Sequence, residues 1–204
     1  MVKVKICGIT NLEDAKAAIN AGCDALGFVF YRKSRRYILP FRARGIIRVL
    51  DKNILKVGVF VDAQEKTIKN IANSCALDIL QFHGKETPAF CLKFPGFKVI
   101  KAFRVKHRIG LADLLKYKTF GYLFDTFVDS QPGGTGRTFD WSLLKFSSKI
   151  KKPVFLSGGL NKRNVRKAIR IVRPEWVDVS SSVESKPGKK DSKKVREFIK
   201  AAKD

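Results

Sequence analysis

The sequence predicts an α/β fold, a single (β/α)8 barrel over residues 1–204, from three observations. Eight short runs rich in Val, Ile, Leu and Phe recur along the chain, and each is too short for a buried helix. Amphipathic windows of helical length lie between them, and alternation of strand and helix along a whole chain is typical of a parallel sheet. The chain has 204 residues, which is close to the lower limit of roughly 200 for such a barrel, so its loops must be short.

Each apolar run is a predicted strand, because parallel strands covered on both faces carry mostly apolar residues. The helical windows carry end signals: Asn11 is a predicted N-cap with Asp14 in the first turn, and Asp140 is the predicted N-cap of the sixth helix. The predicted strands are Val2–Cys7, Ala25–Phe30, Leu55–Val61, Asp78–Phe82, Lys98–Phe103, Gly121–Asp125, Pro153–Ser157 and Trp176–Ser180. The clearest predicted helices are Asn11–Ala21, Gln64–Cys75, Lys162–Val172 and a final helix within Lys186–Lys203.

The active site of such a barrel lies at the C-terminal ends of its strands. The first strand ends at Cys7, and a thiolate there can act as a base or nucleophile where positive charge lowers its pKa. The sixth strand ends at Asp125, where partial shielding favours a raised pKa and a role as general acid. The ordinary alternatives are a buried core cysteine and a loop hydrogen-bond acceptor. His83 follows the fourth strand and is a further candidate at this end.

Four loops at this end are candidates for contact with an anionic ligand. The loop after the second strand has four cations within Arg32–Arg36; it is either a solvated loop or a carboxylate-binding one, because arginine presents a planar fork of donors. Ser157–Gly159 and Ser180–Ser182 follow the seventh and eighth strands, the loops between which such barrels commonly bind phosphate. The glycine-rich segment 131–136 is flexible by composition and is predicted to fold over the ligand.

The net charge of +24 raises a different class of function, nucleic-acid binding. The cations are spread over nearly every predicted helix and loop instead of forming one stripe, which favours a solvated basic surface and no specific nucleic-acid partner. A nucleic-acid binder would show affinity that falls steeply with salt. In either case the charge attracts an anionic substrate at low salt, and the high lysine content is compatible with a thermophilic source.

The remaining composition predicts a reduced, cytoplasmic protein. The four cysteines lack paired metal-ligand spacing and disulfide-scaffold density. No run of about 18 apolar residues is present, so no membrane span is expected. The first residues already form a predicted strand and carry no signal-peptide pattern.

Taken together, these segments resemble the phosphoribosylanthranilate isomerase family of tryptophan-pathway barrels over nearly the whole chain. Few other barrels would combine CGIT, a GGTG loop and LSGGL in this order. The matching motifs are KICGIT at 5–10, GFVF at 27–30, Ser34 and Arg36, VGVFV at 57–61, Gln81 with His83-Gly84, DT at 125–126, GGTG at 133–136, FDW at 139–141, LSGGL at 156–160, VDVSS at 177–181 and PGKKD at 187–191.

The resemblance implies an aldose–ketose isomerisation, the Amadori rearrangement of N-(5-phosphoribosyl)anthranilate, with no metal and no organic cofactor. It implies that Asp125 is the general acid, that Cys7 is the general base, and that Arg36 pairs with the anthranilate carboxylate and helps Cys7 to ionise. It further implies that the phosphate is bound around Gly158, Gly159, Ser181 and Ser182. The other active-site residues that it implies are His83, Asp178, Ser180, Gly133 and Gly134.

Two residues depart from the family pattern. Ser182 stands where the family usually has glycine, so we expect an altered KM with activity retained. Arg35 stands where proline is common, and the loss of proline loosens the loop that carries Arg36.

Two other phosphate-binding barrels remain as alternatives. Indole-glycerol-phosphate synthase would need a catalytic lysine and glutamates at strand ends, and Lys101 is the candidate lysine. A sugar-phosphate epimerase would need metal-ligating histidines, but only His83 is at a strand end, since His107 falls in a loop or helix start. The histidine-pathway isomerases pair two aspartates, and Cys7 replaces the first of these here. The sequence leaves open whether the chain accepts that pathway's substrate and whether it is a monomer or a homodimer.

Overall fold

The computed structural model describes residues 1–107, 109–126 and 140–204. Eight parallel strands close into a barrel in the order of the chain, and the last strand pairs with the first. The strands are β1 Lys3–Cys7, β2 Ala25–Val29, β3 Leu55–Phe60, β4 Ile79–Phe82, β5 Lys98–Val105, β6 Gly121–Thr126, β7 Val154–Leu156 and β8 Trp176–Val179. Each lies at its predicted place in the sequence, so the predicted fold is confirmed.

Helices connect most of the strands around the outside of the barrel. They are α1 Leu12–Asn20, α2 Pro40–Ile47, α3 Glu65–Ser74, α4 Pro88–Cys91, α5 Leu111–Leu115, α6 Val165–Val172 and α7 Ser192–Lys203. Both predicted caps are confirmed: Asn11 Oδ1 accepts the Asp14 N–H at 2.8 Å, and Asp140 Oδ1 accepts the Ser142 N–H at 2.9 Å. The helix that Asp140 caps, Trp141–Lys149, is a 3₁₀ helix.

The chain between β8 and α7 differs from the predicted helix in Lys186–Lys203. A short 3₁₀ helix, Ser181–Val183, leads into an antiparallel hairpin of β9 Glu184–Lys186 and β10 Lys189–Lys190. Pro187 has no N–H to donate, and Gly188 has φ +82°, a left-handed conformation that ends helical structure. The first part of the predicted final helix was therefore wrong, and this hairpin becomes part of the site described below.

Two apolar layers support the strands. The larger layer packs the outer face of the barrel against the helices. The smaller layer fills the barrel interior, where the rings of Phe155 and Trp176 stack with centroids 5.0 Å apart. Above this plug, Cys7 packs with Val29 and Val59 at the C-terminal end of the strands. The interior is therefore closed below Cys7, and ligands can approach only from the strand ends.

Within the described ranges, no helix is long and apolar enough to cross a lipid bilayer. The same ranges contain no group of three or more His, Cys, Asp or Glu side chains that could hold a metal ion.

Candidate active site

A single pocket at the C-terminal ends of the strands gathers most of the predicted site residues. Strands β1, β4, β6 and β8 and the loop after β2 all contribute side chains to it. Those that the sequence predicted are Cys7, Arg36, His83, Asp125, Ser157, Asp178 and Ser180. The other lining residues are Val29, Tyr31, Ser34, Val59, Val61 and Gln81. Gly133 and Gly134 lie outside the described residues.

The Cys7 thiol sits at the floor of this pocket, 8% exposed. Its strand partner in β2 is Gly27, and a Cβ at Gly27 would lie only 2.7 Å from Cys7 Sγ. Glycine at that position therefore provides the space for the sulfur. Burial raises the pKa of the Cys7 thiol, and the positive charge of Lys5 opposes that rise only in part.

Arg36 lies across the pocket rim in a buried charge cluster that the sequence did not reveal. Its guanidinium is bidentate on Glu184, with Nε–Oε1 at 2.9 Å and Nη2–Oε2 at 2.7 Å. Lys190 Nζ also contacts Glu184 Oε1, at 2.9 Å, and donates to the Ser180 carbonyl at 3.2 Å. Burial raises the pKa of the Glu184 carboxyl, but hydrogen bonding from Arg36 and the charge of Lys190 outweigh that effect and hold it below its usual value.

The three charges of Arg36, Lys190 and Glu184 add to one net positive charge, which suits a ligand carboxylate. The stronger electrostatic influences on the Cys7 pKa come from Lys5, Asp178 and Lys190. Arg36 is paired with Glu184, and its predicted help in ionising Cys7 stays a prediction.

Asp125 is 4% exposed at the end of β6. Its Oδ1 accepts the Thr126 N–H at 2.8 Å, and its Oδ2 lies 3.2 Å from His83 Nε2. On the far side of the imidazole, the Gln81 amide is 3.0 Å from His83 Nδ1. Gly158 has φ +88°, and a Cβ there would approach Asp125 Oδ1 to 2.9 Å. The first glycine of LSGGL therefore keeps space beside the carboxyl group of Asp125.

The predicted phosphate loops lie next to each other. Gly158 and Gly159 both have positive φ, a backbone conformation that glycine adopts without strain. The Ser182 hydroxyl donates to the Leu160 carbonyl and so ties the loop after β8 to the loop after β7. Ser182 itself has no positive φ. A glycine is therefore not required here by backbone conformation, and the hydroxyl already has a partner within the protein.

Lys101, the candidate lysine of the synthase alternative, is held away from the pocket. Its Nζ pairs with Glu86 Oε2 at 2.8 Å and donates to the Gly84 carbonyl at 2.7 Å. Both side chains are almost fully buried. An ammonium fixed in this way acts as a structural ion pair.

Comparisons with known proteins agree on one family. The family model described as N-(5'-phosphoribosyl)anthranilate (PRA) isomerase matches residues 4–201. A relative from Pelobacter propionicus, named N-(5'-phosphoribosyl)anthranilate isomerase, is 48% identical over 204 residues, which are 100% of this chain and 97% of the relative. The crystal structure of phosphoribosyl anthranilate isomerase from Thermotoga maritima superposes with a TM-score of 0.93 at 47% identity and covers 100% of this chain and 99% of its own.

A further solved structure of phosphoribosyl anthranilate isomerase contains reduced 1-(o-carboxyphenylamino)-1-deoxyribulose 5-phosphate. It is similar to this chain with a TM-score of 0.90 and 46% identity, and it covers 100% of this chain and 99% of its own. The compound bound to that protein carries an aromatic carboxylate at one end and a phosphate at the other.

Proposed function

This chain belongs to the N-(5'-phosphoribosyl)anthranilate isomerase family of tryptophan biosynthesis, and on that premise we propose the reaction it catalyses and the residues that carry it. The reaction is the Amadori rearrangement of N-(5-phosphoribosyl)anthranilate to 1-(2-carboxyphenylamino)-1-deoxyribulose 5-phosphate. It is an intramolecular redox reaction in which C1 of the sugar is reduced and C2 is oxidised.

In the first step, Asp125 donates a proton to the ring oxygen of the ribose. The C1–O bond breaks, and the lone pair of the anthranilate nitrogen forms a C1=N Schiff base. This role is supported by the position of Asp125 at the end of β6, facing the pocket and nearly shielded from water. His83 Nε2 lies 3.2 Å from Asp125 Oδ2 but makes no hydrogen bond to it, so no proton is routed through this pair.

In the second step, the Cys7 thiolate removes the proton from C2. The C–H electrons form a C1=C2 bond and the nitrogen regains its lone pair, which gives an enolamine. Tautomerisation then moves a proton to C1 and leaves a ketone at C2. Cys7 and Asp125 project into the same pocket from β1 and β6, so one group can give a proton while the other takes one from a different part of the sugar.

The two ends of the substrate are anchored away from the reacting bonds. We assign the anthranilate carboxylate to Arg36, because the cluster that holds this guanidinium has one net positive charge. We assign the phosphate to the backbone around Gly158 and Gly159 together with Ser181 and Ser182. Such remote contacts fix the sugar between acid and base.

The single observation that carries this proposal is that Cys7, Asp125 and Arg36 line one pocket. The direct test is the loss of phosphoribosylanthranilate fluorescence on adding the purified protein, with the substrate generated in situ. We expect turnover by the parent protein without added metal. A folded parent that leaves the fluorescence unchanged at saturating substrate would contradict the proposed function.

Ser182→Gly is expected to raise KM about 2–10-fold with little change in kcat, because it removes the hydrogen bond between the two phosphate loops, and a hydrogen bond contributes roughly 0.5–1.5 kcal/mol. Ser182→Ala is the matched variant, since it removes the hydroxyl but keeps a Cβ. Steady-state kinetics of both would measure the effect. Parent-like KM in both variants would show that the tie between the loops does not affect substrate binding.

Glu184→Gln is expected to raise KM about tenfold or more with a smaller change in kcat, because Arg36 loses the anionic partner that orients its fork. The effect should vanish for an aniline analogue of the substrate that lacks the carboxylate. Glu197→Gln is the control, since Glu197 also pairs with a lysine, at 2.7 Å, but lies on the surface. An equal rise of KM with the analogue would show that Glu184→Gln does not act through binding of the substrate carboxylate.

A further inference from the structure

Lys5 is a cation sealed inside the barrel directly beneath the catalytic pocket. Its side chain is 0% exposed, and its Nζ contacts Asp178 Oδ1 at 2.8 Å. A buried lysine is rare, because removing an ammonium group from water is costly unless it is paired. Asp178 on β8 provides that partner, and its own side chain is only 6% exposed.

The same lysine lies against the sulfur of Cys7. Alternate residues of a strand point to the same side, so residues 5 and 7 of β1 both face the barrel interior. Gly27 of the neighbouring strand leaves open the space that the two side chains share: a Cβ there would lie 2.7 Å from Cys7 Sγ and 3.1 Å from Lys5 Cε. Lys5 Cε and Cys7 Sγ are therefore near neighbours in the barrel interior.

The other charged groups around Cys7 have different partners. Arg36 and Lys190 share Glu184, and Asp125 lies beside His83. Among the described cations, Lys5 is the one that lies beside Cys7 on the same strand and shares with it the space above Gly27. The titratable and charged groups that face Cys7 are Lys5 on its own strand, Asp178 on β8, Glu184 and Lys190 on the hairpin, Arg36 after β2, and Asp125 and His83 across the pocket.

We propose that Lys5 is the positioning residue that allows Cys7 to act as a base: its buried ammonium lies close enough to the sulfur to stabilise the thiolate by its charge, and Asp178 holds the ammonium in place. This inference rests on the proposed function in giving the thiolate its task. The electrostatic part of it, the coupling of Lys5 to the sulfur, holds for the protein without substrate and can be measured there.

The influences on the pKa values of Cys7 and Lys5 are consistent with this arrangement. At Cys7, burial disfavours the thiolate, Lys5 is the largest opposing influence, and Asp178 acts against Lys5. At Lys5, burial lowers the pKa, and the charge of Asp178 is the largest influence that raises it. The ion pair with Asp178 thus favours the ammonium form of Lys5.

The test measures the reactivity of Cys7 without substrate. Iodoacetamide alkylation, followed by peptide mass spectrometry, gives the rate at Cys7 as a function of pH, because only the thiolate reacts. Lys5→Met should slow alkylation of Cys7 at neutral pH about tenfold or more, and Lys5→Arg should largely restore the rate. The buried thiols of Cys23 and Cys75 serve as internal references, since they become reactive only where the variant unfolds.

Two further variants test whether Lys5 acts on the Cys7 thiolate itself or only neutralises the charge of Asp178. Asp178→Asn keeps Lys5 and should accelerate alkylation of Cys7. The double variant Lys5→Met/Asp178→Asn buries no unpaired charge and should still react more slowly than the parent. A double variant that alkylates at the parent rate would overturn the inference, because Lys5 would then act only as the counterion of Asp178.

Activity measurements distinguish this inference from the proposed function. In Lys5→Met, kcat should fall in parallel with the alkylation rate and recover as pH rises. An unchanged kcat together with slowed alkylation would overturn the assigned role of Lys5 in the reaction. Failure of the proposed function has a different signature, a parent protein that does not turn over the substrate at all.

Discussion

Asp125→Asn should lower kcat by about 10²–10⁴-fold, the usual contribution of a positioned general acid. Asparagine has nearly the same shape and retains an oxygen that can accept the Thr126 N–H, which Asp125 Oδ1 accepts at 2.8 Å. It has no proton of suitable acidity to give to the ribose ring oxygen. The substitution therefore removes the acid and preserves the packing, and KM should change far less than kcat. Fluorescence kinetics at saturating substrate would measure the loss.

The control for this variant is an aspartate at the other end of the barrel. Asp78 precedes β4 and pairs with Lys56, with Asp78 Oδ2 2.7 Å from the Lys56 N–H. Asp78→Asn should leave kcat and KM unchanged. If Asp125→Asn retained kcat within about threefold of the parent, another group would have to protonate the ring oxygen. His83, 3.2 Å from Asp125 Oδ2, would then be the next residue to replace.

The barrel and the strand-end positions of the proposed catalytic pair could be predicted because both follow from local sequence. Short apolar runs between amphipathic windows define the strands, and the last residue of a parallel strand lies at the catalytic end whatever its distant neighbours are. The positions of Cys7 and Asp125 follow from this rule, whereas their proposed roles as base and acid rest on the family resemblance. The caps at Asn11 and Asp140 were predictable for the same reason, since a cap acts over only three residues.

The charge network beneath and beside the pocket could be predicted only in part. Lys5 stands two residues before Cys7, so the period of a strand would have placed it on the same face; a charged residue in an apolar strand was the available signal. The partner of Arg36, Glu184, is 148 residues away in the sequence. It reaches Arg36 through the hairpin of β9 and β10. Most of that hairpin lies in the segment Lys186–Lys203, whose spacing predicted a helix. No local pattern reports such a contact.

Replacement of Cys7 by serine should lower kcat by about 10²–10⁴-fold, because a hydroxyl in this buried site cannot supply a base near neutral pH. Serine is nearly isosteric with cysteine and fits the small cluster that Cys7 forms with Val29, Val59 and Tyr31, so the fold should be retained. A serine variant with parent-like kcat would exclude the thiolate as the base. Cys75→Ser is the matched control, since Cys75 is equally buried but lies outside the pocket.

The pH dependence of the parent provides an independent check on the same residue. Burial raises the pKa of the Cys7 thiol, and the positive charge of Lys5 offsets this rise only in part. The thiolate is therefore the minor form at neutral pH, and its population grows as pH increases towards the raised pKa. If the thiolate removes the C2 proton, kcat/KM must increase between about pH 7 and about pH 9, around the usual range of thiol ionisation. The residual activity of Cys7→Ser should lack this rise, whereas a rise of equal size in both proteins would assign the ionisation to a different group.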